Sequence, residues 1–441
     1  MRNKTMKMNT WRVCRLVALA ALLAAATACG TTSGGGPGPD IDPTVDGTAP
    51  KKDLDTKAVK DFEAAVALYE GAAPGAVPYA QIEAKLKSAV DKEDAFASAW
   101  FNLGVLAHEQ GKQDEAMEYY QKAFERDNTS AAPLVNMAVI NIEQGEKDKA
   151  FDLLLKATEV EPFTPEGHNN LAVFFRDRKG AQGPDFPKSV EHVRRALAGD
   201  SQSMAAYHTL ALIYYSIEKY DLARLVCLNA LEFDPNNAPI RNVLGLIYLK
   251  INNVTLALRE FRKAVELEDD FVEAHMNIGS ILLSTRDYAT AMKHFERVLQ
   301  LEPKNTEAML SRAVAHRAMG DLDKAMSGYK EVLSVNGEYA PAHFNIAVMN
   351  HEIFAAEATD PDKAIEFYQV AIENYRKYLS LDESSDQEAR KDADQRISNC
   401  TQLIETQEQL KEMMKDQPPP DDGGGEGGGE GEGGEEPPPE G

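Results

Sequence analysis

Nine histidines, four cysteines and 71 acidic residues are the groups in this 441-residue sequence that could ligate a metal or move a proton. Their placement argues against both. The histidines are dispersed, and the cysteines (Cys14, Cys29, Cys227, Cys400) form no pair at metal-ligand spacing. There is no phosphate loop, no dinucleotide fingerprint and no nucleophile elbow. We therefore expect no catalytic residue, no metal site, no cofactor and no small-molecule substrate. One thiol stands apart. Cys29 follows the small residues Ala26-Thr27-Ala28 at the end of an apolar run that begins at Leu16, and Arg2, Lys4, Lys7, Arg12 and Arg15 precede that run. The run is too short to span a bilayer comfortably, so residues 1–28 read as a signal peptide and not as a permanent helix.

The histidines lead to the organising pattern. His168, His275 and His343 occupy the position that Trp100 holds in the stretch Ala97 to Asp127. There, Trp100, Leu103, Gly104 and Ala107 fall on one helical face, and Ala116, Tyr120 and Ala123 on another, around a turn at Gln110-Gly111-Lys112. A small residue recurs at Gly104, Ala138, Ala172, Ala211, Gly245, Gly279, Ala313 and Ala347, at intervals of 34 residues with one of 39. A second small residue follows at Ala116, Ala150, Ser189, Ala223, Ala257, Ala291, Ala325 and Ala364. Four positions on come Tyr120, Leu154, Val193, Cys227, Phe261, Phe295, Tyr329 and Tyr368, all apolar or aromatic. Small side chains at a crossing let two helix backbones approach, and large neighbours fill the flanks. The histidines at the Trp100 position read as packing, and Cys227 as a buried small hydrophobe.

A helix pair recurring at this period resembles the tetratricopeptide repeat. The resemblance runs from about Lys57 to Leu381. It implies an all-α, right-handed superhelical solenoid of eight to nine helix pairs over residues 54–383, closed by a capping helix at 384–415. Two pairs are five residues longer, at Lys179 to Pro187 and around Phe354 to Pro361. The gap between their small residues grows from 12 to 17, which puts the extra residues in the turn within the pair. Chemistry is absent, so function should reside in the concave groove lined by first helices. By resemblance that groove holds Phe101, Val135, Met276, Leu310 and Phe344 one position beyond the Trp100 equivalent. Val105, Val139, Val173, Leu212, Leu246, Val314 and Val348 stand five beyond, and Ile142, Tyr215 and Leu249 a further turn along. The family's clamp for a peptide carboxylate uses Lys at such positions, and no Lys occurs at them here. The aliphatic set reads either as an apolar seam for an amphipathic or extended segment or as packing between adjacent first helices.

The ends complete the reading. The start resembles a bacterial lipoprotein signal, which implies acylation of Cys29; cleavage after Ala28 without a lipid is the alternative. Ala26 stands where that family favours Leu, and Gly30 in place of Asp favours the outer membrane. Residues 29–53 form a Gly/Pro tether. Residues 416–441 carry nine acidic residues and no basic or large apolar ones, a composition that cannot build a core. A net charge of −24 repels nucleic acid and anionic surfaces at long range. Signal, tether, repeat array and acidic Gly/Pro tail together resemble the tetratricopeptide lipoproteins of the myxobacterial gliding-motility apparatus. This implies a non-catalytic scaffold for other envelope proteins, lipid-anchored and facing the periplasm. The competing expectation is a pilotin-like assembly factor for a secretin.

Overall fold

The computed structural model describes residues 54–73, 76–178, 183–382 and 387–415. The signal, Cys29, the tether and the acidic tail lie outside them. Among the described residues the regular structure is helical, with no strand. The chain divides into two compact units at Asp269/Asp270.

In the first unit six antiparallel pairs follow one another: α1 (Thr56–Glu70) with α2 (Tyr79–Lys92), α3 (Ala97–Glu109) with α4 (Gln113–Arg126), α5 (Ala132–Glu143) with α6 (Lys147–Val160), α7 (Pro165–Asp177) with α8 (Phe186–Gly199), α9 (Met204–Ser216) with α10 (Tyr220–Phe233), and α11 (Ala238–Lys250) with α12 (Val254–Leu267). The second unit has α13 (Val272–Ser284) with α14 (Tyr288–Leu301), α15 (Thr306–Ala318) with α16 (Leu322–Val335), and α17 (Ala340–Val348) with α18 (Pro361–Leu381), followed by α19 (Gln387–Lys415). Within each unit every second helix packs on the next first helix, and several first helices also pack on one another: α5 on α7, α7 on α9, α9 on α11, and α13 on α15. Within each unit this is the solenoid arrangement that the 34-residue period predicts. Pro162, Pro235 and Pro303 sit just beyond the ends of α6, α10 and α14, where a helix cannot continue through proline.

The crossing points explain the small residues. A methyl group added to Gly104 would stand 2.5 Å from the Tyr120 ring, and one on Gly245 or Gly279 would stand 2.6 Å from the ring of Phe261 or Phe295. Where the first helix carries Ala138, Ala172 or Ala211, the facing residue is the smaller Leu154, Val193 or Cys227, all fully buried. Volume is thus conserved across the crossing, as close packing demands. Ala313 faces the large Tyr329, and there the space comes from Gly328, whose added methyl would lie 2.8 Å from the Ala313 Cβ.

The turn inside each regular pair places one residue at positive φ. It is Gly111, Gly145 and Gly320 in three pairs, but Glu218 (59°), Asn252 (59°) and Arg286 (67°) in the others. The two long pairs depart from this turn in different ways. Between α7 and α8 the described residues on either side of 179–182 are tied by Asp185 N donating to Phe175 O (2.8 Å) and Arg178 Nε donating to Gly183 O (3.0 Å). Between α17 and α18 the expectation of a longer turn is corrected. The first helix runs on through a π-helical stretch, Met349–Phe354, into Ala355–Glu357, leaving only 358–360 as connection. A π-type turn takes up an extra residue without breaking the ladder, and the remaining surplus lengthens the helix to Glu357.

Candidate protein-binding face

Successive first helices build one face of each unit, and most of the expected groove residues stand on it. In the first unit Val105, Val139, Val173, Leu212 and Leu246 are all half-buried, the exposure of a side chain that packs sideways on its neighbours and still shows its tip. Tyr215 and Leu249 are half-buried beyond them, and Ile142 is 45% exposed. Burial holds the Tyr215 phenol above its ordinary pKa, and its ring meets Tyr220 edge-on at 5.7 Å. These residues form an aliphatic row flanked by one aromatic.

Three expected groove residues offer no open surface. Phe101 is buried against Tyr120, with ring centroids 5.5 Å apart, and Val135 is buried in the core that α5 shares with α6. Val348 is buried beneath α19. Position one beyond the Trp100 equivalent therefore turns toward the core in the early pairs. In α7, α9 and α11 the same position carries Asn169, His208 and Asn242, all buried. Asn169 Oδ1 accepts from Thr209 Oγ1 at 2.8 Å, tying α7 to α9. Burial, with Arg176 nearby, pushes His208 down to about 3, so the ring is neutral. This polar layer was not legible as structure, because Asn and His at these positions suggest ligand contacts until their burial is seen.

In the second unit Met276, Leu310 and Val314 are half-buried. Phe344 is covered by α19: the Arg396 guanidinium lies 5.8 Å above its ring, and Ile397 and Cys400 pack in the same cluster. Arg396 is itself held by Glu352 on the π-helical stretch and by Asp392 Oδ2 at 2.8 Å. Arg390 Nη1 donates to the Leu379 and Asp382 carbonyls (3.1 and 2.9 Å), fixing the start of α19 on α18. The terminal helix takes the place of a further first helix and closes this end. Cys227 and Cys400 are buried free thiols, raised by burial to about 12 and about 11.

Among the described residues no group of three or more His, Cys, Asp or Glu side chains could hold a metal ion, and no helix is long and apolar enough to cross a membrane. Models of the tetratricopeptide repeat match residues 97–130, 205–237, 242–306 and 282–343. With the period and the stacked pairs, they make this chain a tetratricopeptide-repeat protein. Such repeats typically serve as non-catalytic interaction scaffolds. A search of curated proteins returns no match. Among solved structures, the Pseudomonas aeruginosa protein PilF is 22% identical over 48% of this chain and 94% of its own, with a TM-score of 0.41. A tetratricopeptide repeat protein of Parabacteroides merdae is 17% identical over 59% of this chain and 99% of its own, at 0.46. Yeast Tom70 is 17% identical over 84% and 70%, at 0.45. These are likenesses of fold alone.

Proposed function

We propose that this protein is a lipid-anchored, non-catalytic scaffold of the cell envelope. It captures an apolar segment of a partner protein on the first-helix face of its first unit. The observation that carries the reading is the row Val139, Val173, Leu212 and Leu246. These four half-buried aliphatic side chains stand at one repeat position on helices that pack side by side. Such a row offers an amphipathic helix or extended strand a continuous apolar seam, and its uniformity selects for apolarity more than for a particular sequence. Anchoring is assigned to Cys29. More than one acyl chain there would hold the protein firmly, since each buried methylene contributes about 0.8 kcal/mol and one chain alone binds marginally. The machine we propose it serves is a gliding-motility apparatus, supported by the order of signal, tether, repeats and acidic Gly/Pro tail.

The test pairs two variants. Val139→Glu with Leu246→Glu should reduce recovery of crosslinked envelope partners at least tenfold while the far-ultraviolet circular dichroism stays helical. Undiminished recovery would reject the groove. Cys29→Ser should move the protein from the membrane to the soluble fraction, and unchanged fractionation would reject the anchor. A secretin left monomeric in a deletion strain would point to an assembly factor in place of a standing scaffold.

A further inference from the structure

One contact recurs inside the helix pairs with different chemistry in each. The residue four before the first-helix small residue faces the residue three after the second-helix small residue. In α3/α4 it joins Trp100 and Tyr119, with ring centroids 5.9 Å apart. In α5/α6, Leu134 and Leu153 share one apolar cluster. In α11/α12, Arg241 Nη1 donates to Glu260 Oε2 at 2.8 Å. In α7/α8 and again in α13/α14 it is a pair of histidines. His168 and His192 meet Nδ1 to Nδ1 at 3.0 Å, and His275 and His294 at 2.9 Å, with ring centroids 5.2 and 5.1 Å apart.

The first pair has only one arrangement of protons when neutral. His168 Nε2 lies 2.8 Å from the Pro162 carbonyl, which can only accept, so this nitrogen carries the hydrogen. The other nitrogen of a neutral ring is then bare. His168 Nδ1 must accept, and His192 Nδ1–H must donate to it. A first added proton can enter at His192 Nε2 and leave both bonds in place. A second has only His168 Nδ1 to occupy, and that atom already accepts the bond joining the rings. Two N–H groups on two cations would then oppose each other at hydrogen-bond distance. His168 is 1% exposed, so water cannot take over the lost bond in place.

The surroundings also disfavour charge. Phe175 on α7 stacks on His192 at 5.4 Å and 11°. The charged groups that act most strongly on the pair all belong to α8: Arg195 and Lys188 oppose protonation, and Glu191 favours it. Burial, the largest influence, holds His168 below its ordinary value and pushes His192 down to about 4. A histidine depressed in the folded state takes up protons on opening. The pair's stabilisation is therefore complete above the ordinary value near 6.5 and is lost as pH falls toward about 4.

We infer that the His168–His192 pair is a proton-operated latch that holds α8 to α7 when neutral and releases it when both rings are protonated. The inference is independent of the groove and of the anchor.

The full chain supplies the test. Amide hydrogen exchange of α8, corrected for intrinsic rates, would be compared at pH 7 and pH 4.5 in the wild type and in His168→Leu with His192→Leu. Leu134 with Leu153 already fills this position in α5/α6, so the double variant retains an apolar contact. Wild-type α8 should open more than about tenfold faster at pH 4.5, the equivalent of one pKa unit. The double variant should lose that step in α8. His192→Gln, which retains an N–H donor for His168 Nδ1 but cannot itself titrate, should shrink the step to the share of His168 alone and stands in if the double variant does not fold. A wild-type acceleration below about threefold, or one that survives in α8 of the double variant or undiminished in His192→Gln, would overturn the latch.

Discussion

The first-helix faces of the two units differ in what remains of them once packing is complete. In the first unit the aliphatic row from Val105 to Leu246 is half-buried in every pair, with Ile142 standing out beyond it. In the second, the row starts at Ser280, passes Val314 and ends at Val348 under the terminal helix. Equal positions in a repeat are therefore not equal surfaces. The same register yields an open seam where another first helix follows, and a core where a cap does.

Substitutions in the two rows test that contrast most strongly. Val139→Glu with Leu246→Glu should abolish partner capture, whereas Leu310→Glu with Val314→Glu should lower it no more than about twofold, read by quantitative crosslinking. Equal losses would erase the distinction between the units. Ending the chain after Asp382 removes α19 and exposes Tyr375, Ala371 and Val348, now buried in its cluster. With Ile397, Cys400 and Leu403 gone, the second unit should lose on the order of 3 kcal/mol or more, seen as an earlier unfolding step in denaturant. Gly245→Ala places a methyl 2.6 Å from Phe261 and should cost about 1–3 kcal/mol, measured by chemical denaturation. The smallest effect has the opposite sign. Arg286 holds φ 67°, so Arg286→Gly should stabilise the second unit by up to about 1 kcal/mol, whereas Gly320→Arg, in the same unit, should destabilise it.

Much of this was legible in the sequence because a repeat displays each position several times. The small residues at Gly104 and Ala116 and their equivalents mark the crossings, and the helix pairs follow. Single positions were harder. The complementarity of Gly104 with Tyr120 and of Ala138 with Leu154 needs two positions read together, a signal present in the sequence but visible only once the crossing is known. Asn169, His208 and Asn242 carry polar side chains into a packed layer, and sequence cannot tell a buried amide from a ligand-facing one. The histidine pairs join residues 24 and 19 apart, so one member's role depends on a helix the local pattern does not name. The π-helical stretch at Met349–Phe354 escaped because five surplus residues can enter either a turn or a ladder, and composition does not choose between them.

The central claim is that the first-helix face of the first unit holds an apolar segment of another protein. A photo-reactive amino acid at Leu246 or Val139, activated in living cells, reads that face directly. Leu225 on α10, which is 54% exposed, serves as the comparison site. The account predicts one defined adduct from positions 246 and 139 and none from position 225. Adducts from position 225 alone would contradict it.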